Sequence, residues 1–317
     1  MRYGIVGAGP VGSILAAHLV EAGQEVYLAD IWKEHLEAIF SGGLQITGLR
    51  DVTVDVTGGF LKISDLADVK PDFLVLSVKA CVIRQILHEV ERVLSPDTVL
   101  VSLQNGLDTE ELIAHAFNRH RILRVVINYA GNVTAPGRVA MNFFNKPNHI
   151  GCNCRQGICE HAGSVADLLN SVYLDTRPEA DIKRYVWEKT ILNAALSPIS
   201  AVTGMTMREV MDSSETYRIV EALLQECIKV AALSGYDFGP GFFNFCMAYL
   251  DKGGPHKPSM LVDVEAGRET EIDFINGRIA YYGSLNNVPT PVNDMFTRLV
   301  KAFEHRHARP AGQSRKH

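Results

Sequence analysis

The sequence predicts an α/β fold in two parts: a parallel-sheet domain over residues 1–181 and an all-helical domain over 182–306, with a flexible basic tail at 307–317. Three observations carry that expectation. The first half alternates short β-branched runs with helical stretches, a G-x-G-x-x-G turn follows the first of those runs, and from about residue 182 long helical patterns take over. A chain of 317 residues with 47% apolar content is large enough for two cores.

In chain order, "RYGIVGA" reads as a strand and "PVGSILAAHLVEAG" as a helix, because Val11, Leu15, Leu19 and Val20 recur at helical spacing. "EVYLAD" is the second strand, and "GFLKISDLADVKPD" a sheet extension and linker. "FLVLSV", "TVLVSLQ" and "RILRVVINYA" are further strands. The second half opens with "DIKRYVWEKTILNAALSPISAVTG" and "SETYRIVEALLQECIKVAALSG", both helical. A segment crowded with Phe242, Phe243, Phe245, Met247 and Tyr249 suits either core or a homodimer face.

Composition excludes several classes. The net charge is −5 and the one basic run is the terminal "EHRHARPAGQSRKH", so nucleic acid is not an expected partner. No window approaches the roughly 20 uninterrupted apolar residues of a membrane helix, and the expectation is a soluble, cytoplasmic protein. Of six cysteines, Cys152, Cys154 and Cys159 cluster in "CNCRQGICEH" with His161. Their C-x-C-x4-C-x-H spacing lacks the C-x2-C knuckle of a zinc site, so the expectation is reduced cysteines in a surface turn and no metal.

Gly7, Gly9 and Gly12 follow an apolar strand and open a helix, the context a dinucleotide pyrophosphate requires. Gly7 permits the tight turn, Gly9 lets backbone approach the anion, and Gly12 allows helix and strand to pack closely. With Pro10 and Val11 they form the cofactor-binding loop. Asp30 ends the second strand. There it either accepts from the adenosine ribose hydroxyls and repels a 2′-phosphate, favouring NAD(H), or caps the helix beginning near Trp32. Ser77, Val78 and Lys79 end one strand, and Gln104, Asn105 and Gly106 another, at the sheet edge where ligands of such folds bind.

In "YVWEKTILNAALSPIS", Lys189, Asn193 and Ser197 recur at steps of four and share one helix face. Further on, "KPSMLVDVEAGRETEIDFINGRI" reads as Pro258 and Ser259 preceding a helix whose body carries Asp263, Glu265, Arg268, Glu269, Glu271 and Asp273. Ile272, Phe274 and Ile275 set Glu271 in apolar surroundings, where a carboxylate can face a partly buried lysine. Reducing a ketone takes a proton donor at the carbonyl oxygen as hydride reaches carbon, and a lysine tuned by a glutamate is such a donor.

Taken together, "GAGPVG", "LSVKA", "QNG", "NYAGNVTAPGRV", "WEKTILNAA", "PSMLVDVEAGRETEIDFINGRI" and "VPTPVND" resemble, nearly end to end and in order, the ketopantoate reductase (2-dehydropantoate 2-reductase) family. That resemblance implies a Rossmann domain followed by a helical domain, as in the 6-phosphogluconate-dehydrogenase-like reductases, with catalysis in the cleft between. It implies NAD(P)H-dependent reduction of a 2-oxo acid, ketopantoate to pantoate in pantothenate and coenzyme A biosynthesis. The alternatives are a paralogue acting on another branched 2-oxo acid and a non-catalytic dinucleotide sensor. By the same resemblance Lys189 is the general acid, Glu271 its catalytic partner, Asn105, Asn193, Ser197 and Ser259 bind substrate, and Lys79 and Asn105 serve the cofactor. Two positions depart from the family pattern. Asp30 replaces the arginine that receives the NADPH phosphate, and Ser197 replaces a second asparagine.

Overall fold

A computed structural model describes residues 1–117, 121–153 and 157–307, with side chains up to 304. Cys154 and residues 308–317 of the expected tail lie outside the described residues. The chain divides into two compact units, one of Met1–Gln104 with Asp108–Tyr185, the other of Asn105–Leu107 with Val186–His317.

The first unit begins β1 (Arg2–Val6), α1 (Pro10–Glu21), β2 (Glu25–Ala29), α2 (Lys33–Gly42), β3 (Leu44–Gly48), β4 (Val52–Val54) and β5 (Gly58–Phe60). After a 3-10 turn at Ile63–Asp68 come β6 (Phe73–Leu76), α3 (Ile83–Val93), β7 (Val99–Ser102), α4 (Thr109–Ala116) and β8 (Ile122–Val126). It continues with β9 (Tyr129–Ala135), β10 (Arg138–Phe144), β11 (Asn148–Cys152), α5 (Glu160–Ser171) and β12 (Thr176–Pro178). The long α6 (Ile182–Thr203) starts in this unit and runs on into the second.

Among the described residues the larger sheet has the order β12-β11-β8-β7-β6-β1-β2-β5. Its strands run parallel except where β11 pairs antiparallel with β8. Alternation fixes its two faces. Tyr3, Ile5, Phe73, Val75, Val99 and Val101 pack on one side with Ile14 and Leu19 of α1 and Val165 of α5. Val6, Leu74, Leu76 and Leu100 pack on the other with Ile83, Ile86 and Val90 of α3 and Ile113 of α4. A sheet covered on both faces needs strands apolar at every position, and β6 and β7 are buried throughout. From β1 the chain winds toward β2 on one side and, later, from β6 to β8 on the other. The order therefore reverses between β1 and β6, the point where such sheets open a ligand crevice at their carboxyl edge.

The sequence suggested one strand in "RILRVVINYA". The structure breaks it at Ile127 and Asn128, leaving β8 in the large sheet and β9 in a second sheet of order β4-β3-β10-β9. Asn128 makes the break: its N–H donates to Asn148 Oδ1 at 2.8 Å and its Nδ2 to the Pro147 carbonyl at 2.6 Å. "TAPGRV" becomes the β9–β10 hairpin turn, with Gly137 at φ 75°. The expected extension at "GFLKISDLADVKPD" is edge strand β5 followed by the 3-10 turn.

The second unit is helical apart from its turns: the rest of α6, α7 (Met207–Asp212), α8 (Ser214–Leu233), α9 (Phe242–Asp251), α10 (Ser259–Glu265), α11 (Asn276–Leu285) and α12 (Pro291–His307). The acid-rich stretch after Pro258 is not one helix. It stops at Glu265, passes through Gly267 at φ 65°, and resumes as a 3-10 turn at Ile272–Phe274, because Asp263 folds back on Arg268 at 3.0 Å. In the aromatic segment Phe242 and Met247 are core, while Phe245 is half exposed.

The expected reduced cysteine turn is corrected as well. The carboxyl end of β11 and the residue preceding α5 bring Cys152 and Cys159 together as a disulfide, with Cα atoms 6.3 Å apart. Among the described residues no group of His, Cys, Asp and Glu is arranged to hold a metal, and no helix is long and apolar enough to cross a membrane.

Candidate active site

The glycine loop is built from backbone. Gly7 sits at φ 98°, and a Cβ there would lie 3.0 Å from Val78 N, so the turn after β1 lies directly against the residues that leave β6. At Gly12 an added Cβ would fall 2.1 Å from the Gly7 carbonyl oxygen and 2.9 Å from Ser77 Oγ; only hydrogen fits where α1 crosses the strand ends. Gly9 is different. A Cβ there would meet nothing within 4 Å, so the space over the loop is open to a ligand. Gly9 precedes α1 in extended conformation with no side chain capping the helix, and Pro10 occupies the first turn, where its missing N–H costs nothing. The Val11 and Gly12 N–H groups precede the first helical bond, from the Ser13 N–H to the Gly9 carbonyl at 2.9 Å, and are the donors of a helix N-terminus suited to a pyrophosphate.

Asp30 braces this loop. Its Oδ2 accepts from the Ala8 N–H at 2.6 Å and its Oδ1 from the Trp32 N–H at 2.8 Å. The helix-cap alternative does not hold: α2 is preceded by Trp32 and carries no side-chain cap. His35 lies fully buried beneath, where its Nδ1 accepts from the Gly137 N–H at 3.1 Å. Burial lowers the His35 pKa below its ordinary value, with the Asp30 charge opposing. Its ring stacks on Trp32 with centroids 4.9 Å apart, and Ile31 beside them is 93% exposed. Sequence reasoning passed over Ile31 and Trp32, although two large apolar residues directly after a strand-ending aspartate are a visible signal.

At the neighbouring strand ends, Lys79 stands half-buried before a short 3-10 turn, Ala80–Val82. Gln104 staples the edge: its Nε2 donates to the Leu76 and Val78 carbonyls at 2.6 and 3.1 Å, and its Oε1 accepts from Ser102 Oγ at 2.7 Å. Behind it Arg124 Nη1 donates to Ser102 Oγ at 3.3 Å, and Arg124 Nε lies 3.3 Å from Glu110 Oε2, with both side chains 2% exposed. Burial pushes the Glu110 carboxyl up to about 7, against the pull of Arg124. Arg124, an arginine in the middle of the apolar run "ILRVVI", was the sequence signal for this network.

In the second unit Lys189, Asn193 and Ser197 line α6 at steps of one turn, the first two half-buried and Ser197 buried. Glu271 is 5% exposed and its Oε2 accepts from Asn105 Nδ2 at 3.1 Å. Asn105 follows Gln104 in the chain yet packs with the second unit, and Gly106 is what allows it. At φ 93°, a Cβ on Gly106 would lie 2.4 Å from the Phe274 carbonyl oxygen, the same oxygen that accepts from the Leu107 N–H at 2.8 Å. Two expected residues 166 positions apart thus meet. Ser259 opens α10 and is exposed.

The geometry is that of a glycine loop at a helix N-terminus in one unit and, in the other, a lysine-bearing helix and a buried glutamate hydrogen-bonded to a half-buried asparagine. Residues 3–153 match the family model described as ketopantoate reductase PanE/ApbA, and residues 181–304 match its C-terminal counterpart. A 2-dehydropantoate 2-reductase of Pyrococcus horikoshii is 29% identical over 313 residues, 96% of this chain and 98% of that one. The crystal structure of 2-dehydropantoate 2-reductase from Methylococcus capsulatus superimposes with a TM-score of 0.86 at 26% identity, covering 98% of this chain and 99% of that one. A D-mandelate dehydrogenase solved with NADH and anilino(oxo)acetate gives 0.83 at 27% identity, over 97% and 99%. With family models matched over both halves, the chain belongs to the ketopantoate reductase family and is an oxidoreductase.

Proposed function

We propose that the protein reduces ketopantoate to pantoate with a nicotinamide dinucleotide, and that it prefers NADH. The observation that carries this reading is the buried Glu271, held by Asn105, in a unit whose α6 presents Lys189, Asn193 and Ser197 along one face. When bound, the dinucleotide would supply the hydride that the carbonyl carbon receives. Lys189 gives a proton to the carbonyl oxygen as charge develops on it, Glu271 orients that lysine, and Asn193, Ser197 and Ser259 hold the acid's polar groups. The glycine loop, Pro10 and Val11 bind the cofactor with Lys79, and Asn105 serves both ligands.

Asp30 supports NADH. Two of its four acceptor sites take the Ala8 and Trp32 N–H groups, which leaves acceptors for ribose hydroxyls and a negative charge where a 2′-phosphate would lie. A cytoplasmic site of action belongs to the same reading, and there the Cys152–Cys159 bridge would face reductant. The test is steady-state oxidation of NADH and of NADPH with ketopantoate, for the parent protein and for Lys189→Ala. Expected are a higher kcat/KM with NADH and a loss of at least about tenfold in kcat in the variant, with cofactor affinity retained. Turnover of other 2-oxo acids but not ketopantoate would move the substrate assignment, with Ser197 as its cause. A fully active Lys189→Ala would end the general-acid role.

A further inference from the structure

Pro198 lies inside α6, one residue past Ser197. A proline has no N–H, so the carbonyl of Ala194, four residues earlier, loses its helical donor. Ala194 is fully buried, and an unpaired buried carbonyl is costly. The missing donor comes from another element. Asn276 Nδ2, at the first residue of α11, donates to the Ala194 carbonyl at 3.0 Å and to Asn293 Oδ1 at 3.0 Å. Asn293 Nδ2 passes the chain on to Glu226 Oε2 at 2.7 Å. The Glu226 carboxylate of α8 also accepts the N–H groups of Val292 and Asn293 at 2.9 and 3.0 Å, which ties down the start of α12. Asn276 and Asn293 are both fully buried.

Asn276 is also joined to the proposed acid–base pair through the backbone. The Phe274 and Ile275 N–H groups donate to the Glu271 carbonyl at 3.0 and 3.1 Å, closing the turn that ends at Asn276. Leu107 bonds to that same turn and carries Asn105 with it. One buried amide therefore links the turn bearing Glu271 to the stretch of α6 between Asn193 and Ser197.

We propose that Asn276 is a positioning residue for the reaction. It replaces the hydrogen bond that Pro198 removes, and so fixes the Asn193–Ser197 turn of α6 relative to Glu271. Among the described residues its Oδ1 meets no hydrogen-bond partner, so the two donated bonds are what the amide supplies. The assignment rests on the reading of α6 as the substrate-binding helix.

The experiment is a cycle of Asn276→Ala, Pro198→Ala and the double variant, assayed well below the melting temperature of each. Asn276→Ala is expected to raise KM for the 2-oxo acid about tenfold or more while KM for the dinucleotide stays put, because the glycine loop belongs to the other unit. Pro198→Ala returns a helical N–H to the Ala194 carbonyl, so the loss from Asn276→Ala should shrink severalfold in that background. Hydrogen exchange at Ala195–Ser200 gives a readout independent of turnover: faster in Asn276→Ala, slower again in the double variant. An unchanged substrate KM in Asn276→Ala, or an equal loss with and without Pro198, would overturn the proposal. Should Asn276→Ala fail to fold, the double variant with its carbonyl satisfied is compared with Pro198→Ala alone, and the proposal requires near-equal KM values. If the parent protein turns over no 2-oxo acid, the catalytic reading of α6 falls, and the exchange rates alone decide whether Asn276 holds the turn.

Discussion

The two functional regions are made of different material. The proposed cofactor loop of the first unit is mostly backbone within one stretch of chain, from Gly7 through Gly12, braced by side chains of Asp30 on the Ala8 N–H, Ser13 on the Ala8 carbonyl and Tyr129 on the Val11 carbonyl. The proposed catalytic region of the second unit is side chain, drawn from Asn105, α6, the Glu271 turn, α8 and α12. A backbone site tolerates no added atom where chain meets chain. A side-chain site depends instead on every buried donor and acceptor finding its partner.

That contrast is sharpest at two glycines. Gly12→Ala places a Cβ 2.1 Å from the Gly7 carbonyl oxygen, which is backbone and cannot swing away. A cost of about 3 kcal/mol is expected, with a fall in melting temperature of roughly 6–12 °C and loss of dinucleotide binding. Gly9→Ala meets nothing within 4 Å and should leave stability nearly unchanged while weakening the dinucleotide. Thermal melts with and without NADH separate the two, and equal melting points would break the argument that Gly12 is a packing glycine and Gly9 a binding one.

A smaller effect tests the Asp30 brace. Asp30→Ala leaves the Ala8 and Trp32 N–H groups without their acceptor and should cost about 1–3 kcal/mol by urea denaturation even with no cofactor present. A neutral result would make Asp30 purely a reader of the ribose. The smallest effect concerns the buried pair behind Gln104. Glu110 binds its proton more tightly folded, near 7, than the ordinary 4.5 of an unfolded glutamate, so its contribution to stability is present below about 4.5 and is lost as pH rises through about 7. Glu110→Gln cannot titrate. The stability difference between parent and variant should shift against the parent between pH 5 and 7, and a pH-independent difference would show Glu110 charged throughout.

Much of this was legible in the chain. The β1–α1 turn was readable because glycine spacing is local, and a turn that needs positive φ and close approach leaves few alternatives. The strands β6 and β7 were readable because burial on both faces favours apolar residues along the whole strand. The small sheet and the break at Asn128 were not. They depend on Asn148, 20 positions away, accepting a bond that ends one strand and releases the next. The disulfide was misjudged for a similar reason, since spacing alone does not say that β11 and α5 bring Cys152 and Cys159 within bridging distance.

By itself the sequence determined the fold class, the glycine turn between β1 and α1 and the Lys189–Asn193–Ser197 face, all of which follow from periods and spacings within a few turns of chain. Only the tertiary structure decided that Asp30 holds the loop it follows, that Glu271 meets Asn105, and that Asn276 satisfies the carbonyl Pro198 leaves open. The physical reason is common to all three. A buried polar group must find a partner, and which distant residue supplies it is fixed by packing and not by the neighbouring sequence.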